Sequence, residues 1–210
     1  KIYNLNLKFE KYFKNYDFHN LYKELLNFCT VDLSAFYFDI RKDTLYCDPI
    51  GSPKRKSTLL LLNIILDSLL KWFAPILSFT TEEIYQLVSK KKKSIHLEKF
   101  LRYPKIFENE VLNKKWLQII KIRDICNLSI EEKRASKIIG SSLEAAIKVK
   151  LKKEDLKIIE GIDLAEVCIT SMVKIEMSTT GETSVETSKA TGNKCPVCWK
   201  INTNTCKRHG

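Results

Sequence analysis

The sequence predicts a mainly α fold: a helix bundle, then a small α+β subdomain, then a short C-terminal knuckle rich in cysteine. Three observations support this prediction. Apolar residues recur at intervals of three and four up to about residue 139, they alternate with polar ones after Gly140, and two pairs of closely spaced Cys and His residues stand near the end. We therefore expect a bundle over residues 1–139, an α+β subdomain over 140–180, and a linker with the knuckle over 181–210.

Helix start signals divide the bundle. Asp17 is a good N-cap, and the residues after it place apolar side chains on one helical face as far as Ile40. Ser52 followed by Pro53 is a start signal for a second helix. Thr80, with Glu83 three positions later, has the spacing of a capping box and predicts the start of a third helix.

The last long helix and the subdomain follow. The 3.6-residue period predicts a helix from about Glu110 to about Ser136. Strict alternation of apolar and polar residues predicts a half-buried strand over residues 145–151. A short helix suits residues 154–160, and one or two strands suit 167–177. Residues 178–188 are rich in Ser and Thr and predict an exposed connection or an edge hairpin.

The most apolar segment, Leu59 to Leu77, is long enough to reach across a bilayer core. Asn63, Asp67 and Lys71 recur every four residues within it and form one polar stripe on a helix. Pro75 then interrupts the helix. A helix with one polar stripe and a broad apolar face is typical of the inner member of a bundle, so we expect no membrane partner.

The composition is that of a folded protein, with 44% hydrophobic and 29% charged residues, and it excludes collagen-like and wholly disordered classes. A formal charge of +11 attracts polyanions, so nucleic acid is the first partner to consider. Seven cysteines, an odd number, argue against a fully paired secreted disulfide framework. The chain begins at Lys1 without an initiator Met, and its first residues lack the charged-then-apolar pattern of a signal peptide, so we expect a fragment of a longer cytoplasmic protein. Four cysteines predicted to be buried thiols are Cys29, Cys47, Cys126 and Cys168.

The C-terminal knuckle has the spacing of a zinc site. Cys195 and Cys198 form a C-x-x-C pair, and Cys206 and His209 form a C-x-x-H pair. Two residues between ligands let a tight turn aim both at one metal, and four ligands complete a closed, structural Zn2+ site. The alternative interpretations are a thioredoxin-like redox pair at the C-x-x-C and thiols that are unrelated to one another. His209 is the weakest of the four candidates, since it is the penultimate residue.

The charge of this tail favours RNA. From Lys189 to Gly210 there are five basic residues and no acidic one. Three thiolates and Zn2+ sum to about −1, which leaves the module with about +4. An exposed Trp199 among these cations suits stacking on a single-stranded base. Alternatively, Trp199 packs over the metal as the small core of the knuckle.

Four segments together resemble the C-terminal part of the bacterial-type isoleucyl-tRNA synthetases. "LLNFCTVDLSAFYFDIRKDTLYCD" (residues 25–48) is similar to their anticodon-binding helical domain. "LLKWFAPILSFTTEEIY" (69–85) is shared with the valyl and leucyl enzymes. "KIIGSSLEAAIKV" (137–149) resembles the junction into the α+β subdomain, and "KATGNKCPVCWK" (189–200) resembles the start of the C-terminal zinc module. The chain departs from this family at its end, where His209 stands in place of a cysteine.

The resemblance implies a division of labour within isoleucine-tRNA ligase, an enzyme that joins isoleucine to tRNA with ATP. It implies that this chain binds the anticodon stem-loop of isoleucine tRNA, while the catalytic domain that uses ATP and the editing domain lie elsewhere. We therefore expect no catalytic residue in this chain. A cytoplasmic monomer is also implied.

The residues expected to contact tRNA fall into two groups. In the bundle, Lys54 and Arg55, followed by Lys56, are expected to hold phosphates. The run Lys90 to Lys93 is better interpreted as favourable charge at a helix C-terminus. In the zinc module, the residues expected to read splayed anticodon bases are Lys194, Trp199, Lys200 and Arg208.

Other functions remain open at this point. The chain fits a free-standing zinc-containing nucleic-acid-binding module, or the equivalent part of a valyl or leucyl synthetase. A protein-interaction bundle is a further alternative, although its basic charge has no explanation there. Selective binding of one tRNA over duplex DNA at moderate salt separates these alternatives.

Overall fold

The structure, a computed structural model, describes residues 1–89, 93–206 and 208–209. The chain divides into two compact units, Lys1–Asn109 and Glu110–Gly210, and each is described by itself. The expectation for the lysine run falls mostly on residues 90–92, which lie outside the described residues, as do Lys207 and Gly210.

The first unit is helical. Residues 18–47 form one continuous helical run whose middle part has π-helical hydrogen bonding, Phe28–Phe38. Two short 3-10 turns follow the last long helix of the unit, at Ile95–Leu97 and Lys105–Phe107. The α-helices are α1 Ile2–Lys14, α2 Phe18–Asn27, α3 Asp39–Cys47, α4 Pro53–Phe73 and α5 Ser78–Val88.

Two of the three predicted helix starts are confirmed. The Asp17 carboxylate accepts a hydrogen bond from the Asn20 backbone N–H at 3.3 Å, as an N-cap does. Ser52 Oγ accepts from the Arg55 N–H at 3.4 Å, and Pro53 is the first residue of α4.

The predicted capping box at Thr80 and Glu83 is wrong. Helix α5 begins two residues earlier, at Ser78, and its N-cap Leu77 makes no side-chain cap. The chain leaves α4 through a tight turn, in which the Leu77 N–H bonds the Phe73 carbonyl at 2.7 Å, and it re-enters a helix at once. Thr80 is therefore the third residue of the helix and not its N-cap, and the Glu83 N–H that its hydroxyl would cap lies beyond the first turn, where backbone donors bond within the helix.

The core of the first unit is built around Trp72. Its ring meets Phe9 edge-on at 5.0 Å between centroids and Phe28 at 6.0 Å. The indole N–H donates to Asn6 Oδ1 at 2.9 Å, and Asn6 Nδ2 donates to the Leu101 carbonyl at 2.8 Å. This buried pair ties α1, α4 and the segment after α5 together.

Helix α4 has the inner position that its sequence predicts. Ile65, Leu70 and Trp72 are buried. At the end of the polar stripe, the buried Lys71 ammonium pairs with the Asp67 carboxylate at 2.8 Å. Within the part of the chain that the structure describes, no helix is both long and apolar enough to cross a membrane.

The second unit packs a long helix on a three-stranded sheet. The strand order is β2-β1-β3, with β1 parallel to β2 and antiparallel to β3. Strands β4 and β5 form a separate two-stranded hairpin. The helices of this unit are α6 Glu110–Ala135, α7 Lys153–Ile158 and α8 Leu164–Val167, and the strands are β1 Ala145–Leu151, β2 Met172–Met177, β3 Ser184–Lys189, β4 Asn193–Lys194 and β5 Ile201–Asn202.

Helix α6 confirms the predicted long helix, and α7 confirms the short one. Strand β1 confirms the strand predicted from alternation. Alternate residues of β1 are buried, and Val149 shares one core with Ile122 and Cys126 of α6. Only one strand, β2, forms within residues 167–177, because Val167 ends α8 and Ile169 then takes a left-handed φ of 56°. The Ser- and Thr-rich segment 178–188 connects β2 to β3 and contains most of β3, an edge strand; it forms no hairpin with β2, because β2 and β3 lie at opposite edges of the sheet.

Of the four cysteines that the sequence predicts to be buried, two are buried in the structure. Cys126 and Cys168 lie in the core of the second unit, whereas Cys29 and Cys47 are only partly buried. A hydrogen bond with Cys126 and burial both raise the pKa of the Cys168 thiol far above its ordinary value. Cys126 and Cys168 therefore serve as packing residues.

Candidate metal centre

The β4-β5 hairpin holds the first pair of candidate ligands. The Cys195 N–H donates to the Lys200 carbonyl at 2.9 Å, and the Trp199 N–H donates back to the Cys195 carbonyl at 3.0 Å. These two bonds close a tight turn that leaves Cys195 and Cys198 buried on one side. The C-x-x-C spacing therefore folds into a knuckle with both thiols aimed the same way.

Gly192 lets the two strands of this hairpin meet. Its φ is 126°, which L side chains rarely adopt. A Cβ atom at this position would lie 2.2 Å from the Asn202 carbonyl oxygen. The close approach of β4 to β5 therefore requires glycine here.

The four candidate ligands form one cluster. The ligand atoms of Cys195, Cys198, Cys206 and His209 all lie within 4.8 Å of one another. The Cys198 and Cys206 sulfurs are 3.8 Å apart, and His209 Nδ1 lies 3.5 Å from Cys195 Sγ and 3.4 Å from Cys206 Sγ. Around a tetrahedral zinc, two sulfurs lie about 3.8 Å apart, and a sulfur and a nitrogen about 3.5 Å apart. The donor set and its spacing can thus hold a metal ion.

Backbone N–H groups prepare the thiols for this role. The Cys198 and Val197 N–H groups donate to Cys195 Sγ and lower the pKa of the Cys195 thiol to about 6. The Arg208 and His209 N–H groups lower the pKa of Cys206 in the same way. Burial raises the pKa of Cys198 to about 11. Both sets of hydrogen bonds shift Cys195 and Cys206 toward the thiolate, the form that binds metal.

Trp199 lies on the outside of the knuckle. Its backbone takes a left-handed φ of 62°, which is unusual for a bulky residue, and its side chain is 60% exposed. The Lys194 ammonium lies 5.6 Å from the centre of the indole ring. The turn therefore presents an aromatic ring with a cation beside it.

The knuckle is tethered by a residue that the sequence analysis missed. Ser171 Oγ accepts a hydrogen bond from the Ile201 N–H at 2.6 Å and donates to the Leu143 carbonyl. One hydroxyl thus joins β5 to the segment before β1. No spacing signal marks Ser171 in the sequence, whereas Gly192, just before the C-x-x-C, could have been found as a turn residue.

The other predicted contact residues lie in different settings. Lys200 is half-buried and Arg208 is exposed, and both belong to the knuckle. In the first unit, Lys54 is exposed at the start of α4. Next to it, the Arg55 guanidinium donates to the Asp48 carbonyl at 2.8 Å and so closes the loop between α3 and α4. Arg55 thus has a structural contact that the sequence did not suggest.

Comparison with known proteins gives consistent results. Residues 1–151 match the family model described as "Anticodon-binding domain of tRNA ligase". The chain is 63% identical over 209 residues to an isoleucine-tRNA ligase of Pelagibacter ubique, covering 100% of this chain and 23% of that relative. A ligase of the same name from Agrobacterium fabrum is 40% identical over 90% of the chain, and one from Methylacidiphilum infernorum is 42% identical over 92%; the chain covers 21% of each. The chain therefore spans less than a quarter of these relatives and matches their C-terminal part.

Proposed function

The chain belongs to the anticodon-binding domains of tRNA ligases, and from this premise we propose that it binds the anticodon stem-loop of isoleucine tRNA within an isoleucine-tRNA ligase. The match over residues 1–151 is the observation that carries the proposal. The similar relatives are isoleucine-tRNA ligases, which supports isoleucine as the amino acid. Joining isoleucine to tRNA with ATP then takes place in the rest of a cytoplasmic, monomeric enzyme.

A single structural zinc ion is part of this proposal. Cys195, Cys198, Cys206 and His209 supply four ligands, which leaves no position for a reactive water. The tail also contains no Asp or Glu that would act as a general base for such a water. Zinc, when bound, fixes the Cys195 and Cys198 pair relative to the Cys206 and His209 pair. Its role is thus to hold the RNA-binding surface in shape.

The chain recognises tRNA in two ways: some residues hold its phosphates in position, and others contact the anticodon bases. In the first unit, Lys54 and Arg55 hold phosphates without reading sequence. The exposed ring of Trp199 stacks on an unpaired anticodon base. Lys194, which lies beside the ring, and Lys200 and Arg208, which belong to the same tail without acidic residues, contact phosphates and base edges. This chain positions tRNA and contributes no catalytic residue.

The test measures metal content and RNA binding on the same samples. The purified chain and its Cys198→Ser variant are compared at moderate salt with an anticodon stem-loop RNA and a duplex DNA. We expect one zinc per chain and preference for the stem-loop, both lost in Cys198→Ser. Cys29→Ser, which changes a half-buried cysteine of the first unit, is the matched control and keeps both properties.

Other outcomes point to other functions. Equal affinity for the stem-loop and duplex DNA would favour a general nucleic-acid-binding module. Loss of zinc in Cys198→Ser with the preference for the stem-loop retained would move recognition away from the knuckle. A chain that binds neither nucleic acid would contradict the proposal.

A further inference from the structure

Helix α3 and the residue before it carry three exposed side chains at intervals of four: Phe38, Lys42 and Tyr46. Their exposed fractions are 36% for Phe38, 65% for the Lys42 side chain and 82% for Tyr46. Since the N-cap Phe38 has helical backbone angles, the three lie within about 80° of the helix surface. Ile40 and Thr44 lie on the opposite face and are buried. These three residues, the aromatic stripe, therefore point away from the bundle core.

The aromatic stripe is held in place at one end. The Phe38 ring lies 6.1 Å from the Tyr37 ring at an interplanar angle of 59°. The Tyr37 ring also has a cation beside it, because the Arg41 guanidinium lies 6.0 Å from the ring centre. Contacts of this kind limit the rotamers of Phe38 and so lower the entropy lost when a partner stacks on it.

A cation lies between the two rings. Phe38 and Tyr46 are about 12 Å apart along the helix, and Lys42 is midway. The Lys42 ammonium contacts Asp39 at 3.1 Å, but an exposed pair of this kind is weak, and the ammonium has three donors. Exposed Lys54 and Lys56 follow in the first turn of α4. The stripe itself thus combines two aromatic rings with one cation.

We propose that the aromatic stripe is a stacking surface for unpaired bases of single-stranded RNA, separate from Trp199. The inference rests on the proposed function and extends it to a surface of the first unit. Each ring takes one base, because every base has a π-face, and Lys42 contacts the phosphate between them. A protein partner would find a lysine in the centre of its contact, where charged residues are depleted. RNA complements both the rings and the charge.

Binding of a stem-loop RNA and of a blunt duplex RNA of equal length tests the proposal. Tyr46→Ala and Phe38→Ala should each weaken stem-loop binding by about 5- to 100-fold and leave duplex binding unchanged. Tyr16→Ala is the matched control, because Tyr16 is also 82% exposed and belongs to the same unit. It should change neither affinity. Thermal melting of each variant checks that the fold is intact.

Two further measurements report the contacts directly. Lys42→Gln should reduce the slope of log affinity against log salt by about 0.7, because one contact with a single-strand phosphate is lost. The control Lys23→Gln changes an exposed lysine of α2 and should leave this slope unchanged. In a stem-loop with 5-iodouridine in place of its loop uridines, photo-crosslinks should map to Tyr46 or Phe38.

The outcomes separate this inference from the proposed function. If the unaltered chain binds the stem-loop but Tyr46→Ala behaves like Tyr16→Ala and no crosslink reaches the stripe, this inference is wrong and the proposed function stands. If the unaltered chain does not bind the stem-loop, both are wrong.

Discussion

The Lys194 ammonium lies 5.6 Å from the centre of the Trp199 ring, and the ring remains 60% exposed on a backbone with a φ of 62°. A left-handed backbone at a tryptophan is unfavourable and persists only when the surrounding structure imposes it. Here the two hydrogen bonds of the Cys195 to Lys200 turn impose it. The same turn that aims the thiols inward therefore directs the ring outward.

Trp199→Ala should weaken stem-loop binding by about 1–3 kcal/mol, because one stacked base is lost, and should leave one zinc per chain. Fluorescence titration with labelled RNA and metal analysis of the same sample measure both. Val197→Ala, a change at another exposed side chain of the knuckle, is the control. Loss of zinc in Trp199→Ala alone would instead show that the ring acts as cover for the metal site.

Gly192→Ala should destabilise the hairpin by about 1–3 kcal/mol or more, since a Cβ atom would lie 2.2 Å from the Asn202 carbonyl oxygen. The variant should lose zinc at a lower concentration of a competing chelator. Gly51→Ala, where a Cβ meets no atom within 4 Å, should behave like the unaltered chain. Equal zinc retention in both variants would contradict the described hairpin.

Asn6→Leu should lower the free energy of unfolding by about 1–3 kcal/mol, because it leaves the buried Trp72 N–H and the Leu101 carbonyl without their partner. Urea unfolding followed by tryptophan fluorescence measures the change. Asn4→Leu makes the same substitution at an exposed position of α1 and should have little effect. Similar losses in both variants would mean that the Asn6 contacts are not important for stability.

Glu82 should add stability that depends on pH. Its carboxylate accepts hydrogen bonds from Gln86 Nε2, Ser94 Oγ and the Ile95 N–H, and these lower its pKa below the ordinary 4.5. The folded state therefore favours the ionised form. Its contribution is fully present above pH 4.5 and is lost as the pH falls through the lower, folded-state pKa.

Melting temperatures of the unaltered chain and of Glu82→Gln should accordingly differ at pH 7 and converge near pH 3. Glu83→Gln, at an exposed position of the same helix, is the control and should show no such convergence. A difference that stays constant down to pH 3 would rule out a role for the ionised carboxylate.

Much of the local structure follows from the sequence, because its causes are local. The caps at Asp17 and Ser52 act within one helical turn, and the alternation over residues 145–151 reflects a two-residue period. The spacing of Thr80 and Glu83 does not locate the start of α5, because residues inside a helix can have the same spacing as a capping box. The division into residues 1–139, 140–180 and 181–210 stays a prediction; in the structure, α6 packs on β1 and β3.

The four candidate ligands were evident from spacing, since each C-x-x pair needs only one tight turn to bring its members together. Tertiary structure alone decided how the two pairs meet, how Ser171 tethers the knuckle, and why Arg55 also closes a loop. It also decided the strand order β2-β1-β3 and the outward direction of Phe38 and Tyr46. These features depend on contacts between residues far apart in the chain. Periodicity and caps report only what happens within a few residues, so no local pattern could contain them.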